Sequence, residues 1–255
     1  MNLRQTFDRL RARNEMALIA YHTAGFPSLG ESVNNIGKLS ENGADIIEIG
    51  IPFSDPIADG PTIQRSSQAA LELGVSLPQI LDAVSGVKLE IPLVAMSYLN
   101  PLLAYGREKL FQSMKSAGFA GLIIPDLPLE ESDSWTQEAD SHEIDLIFLV
   151  TPTTSDKRMK QLAEASRGFI YCVSLTGITG ARKDLPPHLA EFLGKVKSRS
   201  DKPVAVGFGI STPEHVRQLK GIADGVIVGS RIVKAMAEGE DVGELVRELK
   251  EATRR

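Results

Sequence analysis

The chain has 255 residues and a formal net charge of −5, with 42% hydrophobic and 24% charged residues. It contains no apolar run of about 18 residues that could cross a bilayer, and its Lys and Arg residues are scattered, which disfavours a nucleic-acid surface. Its one cysteine, Cys172, excludes an intrachain disulfide and stands in an apolar run that indicates a packed thiol. Because an α/β barrel takes about 250 residues as one unit, we expect a single domain over residues 1–255.

The amino terminus predicts a short amphipathic helix. Leu3, Phe7 and Leu10 recur at helical spacing. The segment lacks the continuous apolar core and the small-residue cleavage site of a signal peptide. We therefore expect a cytoplasmic protein.

Eight short apolar runs follow, each nearly continuous in aliphatic residues, as expected for parallel strands buried on both faces. In order, the runs are Ala17–Ala20, Ile46–Ile49, Leu93–Ala95, Gly121–Ile124, Leu146–Val150, Phe169–Val173, Val204–Val206 and Val226–Val228. Amphipathic stretches between them predict helices, among them Leu29–Asn42, Arg107–Ala117, Glu130–Ser141 and Thr212–Leu219. The alternation predicts a (β/α)8 TIM barrel with extra helices at the N-terminus and in the loops.

Glycine and serine residues mark where the predicted helices end and begin. Gly43, Gly118 and Gly221 follow helical stretches as C-cap candidates, and Ser155, Ser211 and Ser230 stand where helices would start. An extra helix is predicted over Leu77–Gly86 and a final one over Val242–Thr253.

Glu48 is the first candidate for chemistry, because sites in such barrels lie at the carboxyl ends of the strands. It interrupts the apolar run of the second predicted strand near that end. Burial raises a carboxyl pKa, so a carboxylate there suits general acid–base catalysis near neutral pH. The alternative is a structural glutamate paired with a Lys or Arg.

The segment PFSDPIADGP after that strand holds two more carboxylates, Asp55 and Asp59. Its prolines restrict the backbone, and Gly60 permits a tight turn, so the loop is suited to placing a functional group. Either aspartate could instead cap a turn. Spacing alone does not choose between the two.

Glycine-rich segments follow the last three predicted strands and suggest a phosphate site. The segments are SLTGITGAR, GFGIST and VGSRIV, which contain Gly177, Gly180, Gly207, Gly209, Gly229 and Ser230. Glycines let the backbone approach a ligand, and a helix that starts near Ser230 would direct its positive dipole end to the same place. Taken singly, each glycine could equally be a turn.

The sequence lacks the residues that Schiff-base catalysis, metal binding and nucleotide binding would need. No predicted strand contains the Lys that a Schiff-base aldolase needs. The four histidines are dispersed without metal-ligand spacing, so no metal site is expected, and His22, near a strand end, is interpreted as structural. There is no P-loop, and GFGIST lacks the dinucleotide-binding spacing.

The segment EIGIPFSDPIADGPTIQ closely resembles the signature of the tryptophan synthase alpha subunit family. The resemblance continues, in the family's order, through YHTAGFP, SYLNPLLAYG, IIPDLPLEES, SLTGITG, VGFGIST and VGSRIVK. It implies a lyase that splits indole-3-glycerol phosphate into indole and glyceraldehyde 3-phosphate in tryptophan biosynthesis. Tyr21, Met96 and Pro125 depart from the residues of other members, which bears on affinity more than on reaction type.

The resemblance also implies roles for individual residues. Glu48 would be the acid–base at indole C3, and Asp59 would stabilise positive charge at the indole N1–H. Gly180, Gly209, Gly229 and Ser230 would hold the phosphate, and Thr179 would contact Asp59 from a mobile loop. The indole and glycerol pocket would be lined by Tyr21, Met96, Tyr98, Ile123, Leu149, Tyr171, Phe208 and Ile227.

A partner is implied as well, a beta subunit that carries pyridoxal phosphate and receives indole in an alpha2-beta2 complex. The alpha chain itself is expected to need no cofactor. The contact face would include Pro52, Ser54, Asp55, Asn100 and Pro128. Two other functions stay open at this point: a phosphate-ligand-binding regulatory subunit without chemistry, and another phosphosugar barrel enzyme such as an isomerase.

Overall fold

The computed structural model describes residues 2–173, 185, 188–207 and 209–254. The strands are β1 (Ala17–Thr23), β2 (Ile46–Gly50), β3 (Leu93–Met96), β4 (Phe119–Ile123), β5 (Asp145–Ile147), β6 (Leu149–Val150), β7 (Ile170–Val173), β8 (Val204–Gly207) and β9 (Gly225–Val228). No helix within these ranges is both long and apolar enough to span a bilayer.

Helices follow most strands along the chain, with two helices in succession after β2, β3 and β9. They are α1 (Leu3–Ala12), α2 (Leu29–Glu41), α3 (Pro61–Glu72), α4 (Leu77–Ser85), α5 (Leu99–Tyr105), α6 (Arg107–Ser116), α7 (Asp133–Ser141), α8 (Asp156–Ala165), α9 (Leu189–Lys197), α10 (Pro213–Gln218), α11 (Ser230–Glu238) and α12 (Val242–Thr253). The predicted extra helix is α4 and the predicted final helix is α12. Helix α5 was not predicted.

The strands form one parallel sheet in the order β5-β4-β3-β2-β1-β9-β8-β7-β6. Its two outer members, β5 and β6, are consecutive in the chain, so the sheet curves round into a barrel. The predicted (β/α)8 fold is therefore confirmed, with one correction: the fifth predicted strand is two segments. Phe148 separates them because its N–H donates to the Ser166 side chain at 3.1 Å rather than to a neighbouring strand.

The helix-end signals are confirmed in part. Gly43, Gly118 and Gly221 all have positive φ (108°, 81° and 79°), as C-terminal glycines require. The Ser155 side chain caps α8 by accepting from the Arg158 N–H.

Ser230 begins a helix as predicted, whereas the predicted helix start at Ser211 was wrong by one residue. Thr212, not Ser211, caps α10, because Pro213 has a fixed φ suited to the first helical position and so sets the cap at the residue before it. Ser230 is the first residue of α11, and Gly229 occupies its N-cap position.

Helix α1 closes the amino end of the barrel. Its Leu3, Phe7 and Leu10 are at most 3% exposed and pack with the inward-facing strand residues. The rings of Phe7 and Phe169 lie 5.6 Å apart between centroids. These three residues, which were predicted to share one face of a helix, thus fill the end of the barrel opposite the carboxyl ends of the strands.

Buried ion pairs hold the last helix, α12, at the same amino end of the barrel. Lys250 of α12 lies 2.9 Å from Asp45, just before β2, and 3.0 Å from Glu15, just before β1. Asp45 also accepts a hydrogen bond from the Leu18 N–H at 2.9 Å. These contacts join the chain's end to its first two strands.

We expect Phe7→Ala to destabilise the protein by about 3–5 kcal/mol, because it leaves a cavity at the closed end of the barrel. Urea unfolding followed by circular dichroism measures the loss. Arg4→Ala in the same helix is the control, since Arg4 is exposed and its ion pair with Asp8 is a surface contact, worth about 0–1 kcal/mol. Equal effects of the two substitutions would contradict the role assigned to α1.

Candidate active site

Glu48 lies inside the barrel at the level of Tyr21 on β1 and Val94 on β3, its register partners. It is 1% exposed, and within the described residues neither carboxylate oxygen has a hydrogen-bond partner. Burial, and secondarily the charge of Asp59, raises the pKa of Glu48 to about 8. At neutral pH the carboxyl is therefore mostly protonated and can act as an acid. The structural alternative, an ion pair with a Lys or Arg, is absent from the described contacts of this side chain.

Asp59 lies in the loop between β2 and α3 and is held by Tyr98. The Tyr98 hydroxyl donates to Asp59 Oδ2 at 3.1 Å and accepts from the Ala58 N–H at 2.9 Å. The Gln64 side chain donates to the Asp59 carbonyl at 2.9 Å. Burial raises the pKa of Asp59 to about 6, and the hydrogen bond from Tyr98 opposes that rise. Asp59 is consequently mostly ionised at neutral pH.

Asp55, which spacing left equivalent to Asp59, is placed differently. It is exposed, and the neighbouring Ser54 hydroxyl donates to it. Of the two aspartates, Asp59 is the one whose charge adds to the raised pKa of Glu48. The structure thus brings Glu48 and Asp59 together and leaves Asp55 at the surface.

Two tyrosines share the barrel interior with Glu48, and each hydroxyl lies over a glycine. A β-carbon placed on Gly50 would lie 2.0 Å from the Tyr21 hydroxyl oxygen, and one on Gly207 would lie 2.6 Å from that of Tyr171. These two glycines are therefore required for space. Burial, with the charges of Glu48 and Asp59 next, raises both tyrosine pKa values well above 10, so both hydroxyls stay protonated.

The remaining predicted lining residues form apolar walls. Met96, Ile123 and Ile227 are buried in the inward-facing cluster that also contains the two tyrosines, and Leu149 packs against it. An apolar wall offers little solvation to a charge, which accounts for the high pKa of Glu48. Phe208 and Thr179 lie outside the described residues.

Two of the predicted phosphate-binding segments follow β8 and β9, and Gly229 of the second lies beside the Tyr21 side chain. Gly209 has a φ of +83°, which only glycine adopts readily. Gly229 precedes α11, whose N-cap makes no side-chain hydrogen bond within the described residues; N–H groups at such a helix start can bind an anion. Gly180 lies outside the described residues.

The predicted partner face is largely exposed. Ser54, Asp55, Asn100 and Pro128 are at the surface, whereas Pro52 is buried. Ile57, on the same loop as Ser54, is 83% exposed, an unusual state for a large aliphatic side chain.

The described residues contain no group of three or more His, Cys, Asp or Glu side chains that could hold a metal ion. His22 faces outward from β1 and hydrogen-bonds to Ser32 at 2.7 Å. Burial lowers the pKa of His22 to about 4, so it is neutral. This placement agrees with the structural interpretation of His22.

Sequence reasoning missed three residues around the site: Gly50, Thr23 and Ser66. Gly50 stands two residues after Glu48 on the same strand and therefore points to the same inward face. This alternation of faces could have been recognised in the sequence. Thr23 and Ser66 are buried and lie 2.7 Å apart between hydroxyl oxygens, which joins β1 to α3. No local pattern pairs those two hydroxyls.

The family model described as Tryptophan synthase alpha chain matches residues 7–255. A protein of that name from Caldanaerobacter subterraneus subsp. tengcongensis is 48% identical over 247 residues, which is 96% of this chain and 94% of the relative. The protein of that name from Arabidopsis thaliana is 44% identical and covers 98% of this chain, with 92% of its own length matched. A structure of Mycobacterium tuberculosis tryptophan synthase has a TM-score of 0.94 at 42% identity and covers 99% of this chain and 98% of that chain.

We expect Glu48→Gln to flatten the pH dependence of stability. A folded-state pKa of about 8, above the ordinary 4.5, means that between these values the folded chain binds more protons than the unfolded chain, so stability falls as pH rises. Each tenfold difference in proton affinity between the two states corresponds to about 1.4 kcal/mol. Urea unfolding at pH 5, 7 and 9 measures the effect. As the pH rises, the free energy of unfolding of the variant should increase relative to that of the parent by a few kcal/mol.

The exposed Glu90→Gln serves as the matched control, and its curve should run parallel to that of the parent. Parallel curves for Glu48→Gln and the parent would contradict the raised pKa.

Proposed function

The chain belongs to the tryptophan synthase alpha chain family, and from that premise we propose that Glu48 and Asp59 carry out its cleavage of indole-3-glycerol phosphate. The products are indole and glyceraldehyde 3-phosphate, formed in tryptophan biosynthesis. The observation that carries the proposal is the separation of the two carboxyl pKa values, about 8 for Glu48 and about 6 for Asp59. At neutral pH one group is an acid and the other an anion, as the reaction requires.

In the first step the Glu48 carboxyl protonates indole C3. Protonation there places a positive charge on the ring that is shared with N1. The Asp59 carboxylate accepts a hydrogen bond from N1–H and stabilises that charge, which is worth more in a buried site than in water. The Tyr98 hydroxyl holds the Asp59 oxygen in place.

In the second step the bond between C3 and C3′ breaks, and its electron pair returns to the ring and neutralises the charge at N1. The 3′-hydroxyl loses its proton as its oxygen forms the aldehyde double bond. Glu48, now a carboxylate, takes that proton and is restored to its starting form. No proton is gained or lost by the protein over the cycle.

The three-carbon phosphate end of the substrate would lie toward β8 and β9. Gly209, Gly229 and Ser230 line that side, and Gly180 joins them by the family resemblance. The N–H groups at the start of α11 and its positive dipole end favour a phosphate dianion. The walls formed by Met96, Ile123 and Ile227 suit the apolar indole ring.

The expected partner is a beta subunit that carries pyridoxal phosphate and takes up the indole, in an alpha2-beta2 complex. The exposed Ser54, Asp55, Asn100 and Pro128 support a contact at the strand carboxyl ends, and Ile57 adds an apolar side chain there. Such a contact would lie beside the loop that carries Asp59. The cytoplasmic location expected from the sequence stays a prediction.

We expect Glu48→Gln to lower kcat by about 10²–10⁴-fold, the usual contribution of a general acid–base, and Asp59→Asn by about 10²–10³-fold. Release of glyceraldehyde 3-phosphate, coupled to its oxidation, measures the rate. Binding of indole-3-propyl phosphate, an uncleavable analogue, should survive in Glu48→Gln because the substitution preserves size.

The matched controls are Glu90→Gln and Asp82→Asn, both exposed and away from the loop. Unchanged turnover in Glu48→Gln would contradict the proposed mechanism. Binding without cleavage by the parent chain would instead indicate a regulatory subunit.

The rate should have a bell-shaped pH dependence. Activity requires ionised Asp59 and protonated Glu48, so kcat/KM should rise with pH through about 6 and fall through about 8. Asp59→Asn should lose the acidic limb and keep the basic one. An acidic limb that persists in Asp59→Asn would assign it to another group.

A further inference from the structure

We propose that Asp126 is a positioning residue for the reaction, which holds the Tyr98 side chain against Asp59 by accepting a hydrogen bond from the backbone at the start of α5. Asp126 is exposed and lies on the loop that follows β4. The proposal rests on the proposed function and deepens it. Activity of the parent chain, compared with that of the variants below, separates failure of this role from failure of the function itself.

Tyr98 is the side chain through which Asp126 acts on the site. It is buried, and its hydroxyl donates to Asp59 Oδ2 at 3.1 Å and accepts from the Ala58 N–H at 2.9 Å. Its ring lies 5.3 Å from that of Phe53, in the same loop, between centroids. The hydroxyl and the ring of Tyr98 thus both contact the loop between β2 and α3. A change in the direction of Tyr98 therefore displaces the Asp59 carboxylate.

The backbone on both sides of Tyr98 is hydrogen-bonded to the end of β4 and the loop after it. Before Tyr98, the Ser97 N–H donates to the Ile123 carbonyl at 3.1 Å. After Tyr98, the Leu99 N–H donates to Asp126 Oδ1 at 2.8 Å. The first bond joins two backbone groups and does not depend on side chains. The second bond depends on the side chain of residue 126.

The start of α5 needs an acceptor from outside the helix. Tyr98 is the N-cap residue of α5, but its side chain makes no capping hydrogen bond, since its hydroxyl contacts the Asp59 loop instead. The N–H of Leu99, the first helical residue, has no acceptor within the helix. Asp126 supplies one, as the side chain of an N-cap residue usually does. Position 98 is thereby left to a tyrosine long enough to reach Asp59.

The charges around Tyr98 give this arrangement a measurable consequence. Burial, and next the charge of Asp59, raises the pKa of Tyr98, and the charge of Asp126 acts in the same direction, so Tyr98 stays protonated and donates. Its hydrogen bond opposes the effect of burial on the pKa of Asp59. Loosening of Tyr98 should therefore raise the pKa of Asp59 above its value of about 6.

Asp126→Ala removes the acceptor for the Leu99 N–H. It should lower kcat/KM by about tenfold, less than the roughly 10²–10³-fold expected for Asp59→Asn, because the carboxylate is misplaced but present. The acidic limb of the pH profile should also move to higher pH. Release of glyceraldehyde 3-phosphate by the full chain, followed from pH 5 to pH 9, measures both effects. A loss of folded chain alone would lower the rate and leave the limb in place.

Asp126→Asn is the matched variant, because it removes the charge but keeps the size and an oxygen that can accept from the Leu99 N–H. Its kcat/KM should stay within about threefold of that of the parent, with the acidic limb unmoved. Asp241→Ala is the control for loss of an exposed helix cap. Asp241 accepts from the Glu244 N–H at 3.1 Å at the start of α12, and its loss should leave both the rate and the limb unchanged.

A double-mutant cycle with Tyr98→Phe tests whether Asp126 acts through the Tyr98 hydroxyl. In the Tyr98→Phe chain, adding Asp126→Ala should lower kcat/KM by less than about twofold further. Equal losses from Asp126→Ala in both backgrounds would overturn the proposal, as would an unchanged rate in Asp126→Ala or equal losses in Asp126→Ala and Asp126→Asn. If the parent chain itself released no glyceraldehyde 3-phosphate, the proposed function would fail, and this role with it.

Discussion

The Glu48 carboxyl is buried without a hydrogen-bond partner among the described residues, and the acid–base role proposed for it depends on this burial. An ionised carboxylate in such a place costs several kcal/mol unless it is paired, so the group keeps its proton instead. The barrel holds it there because β2 is enclosed by β1 and β3, while Tyr21 and Tyr171 fill the space around it. Gly50 and Gly207 leave the room that these tyrosines need.

Asp59 differs from Glu48 because it lies on a loop and not on a strand. Its loop is tied through Tyr98 and through Gln64, and the hydrogen bond from Tyr98 favours the ionised form. Two neighbouring carboxyl groups thus differ at neutral pH: Glu48 is mostly protonated and Asp59 is mostly ionised. The division of roles between acid and anion follows from one being enclosed by strands and the other being hydrogen-bonded at the rim.

The opposite end of the barrel supplies stability. Phe7 and its neighbours in α1 fill the interior at that end, and the pair between Lys250 and Asp45 joins the last helix to the first strands. Neither feature lies in the loops that carry Asp59 or the glycines of β8 and β9. Apolar packing at the amino end therefore offsets the cost of burying the Glu48 carboxyl at the carboxyl end. In this fold the two ends of the barrel usually divide stability and function in this way.

The sequence by itself determined the barrel, because continuous apolar runs alternating with amphipathic stretches permit few other folds, and it placed Glu48 inside, because strand parity and the apolar neighbours agree. It could not separate Asp59 from Asp55, foresee the break at Phe148, or pair the hydroxyls of Thr23 and Ser66. The tertiary structure decided these. Each depends on a contact between residues far apart in the chain, such as Tyr98 with Asp59 or Thr23 with Ser66, 39 and 43 positions apart. Local periodicity carries no information about such pairs until the barrel closes and brings the strand ends together.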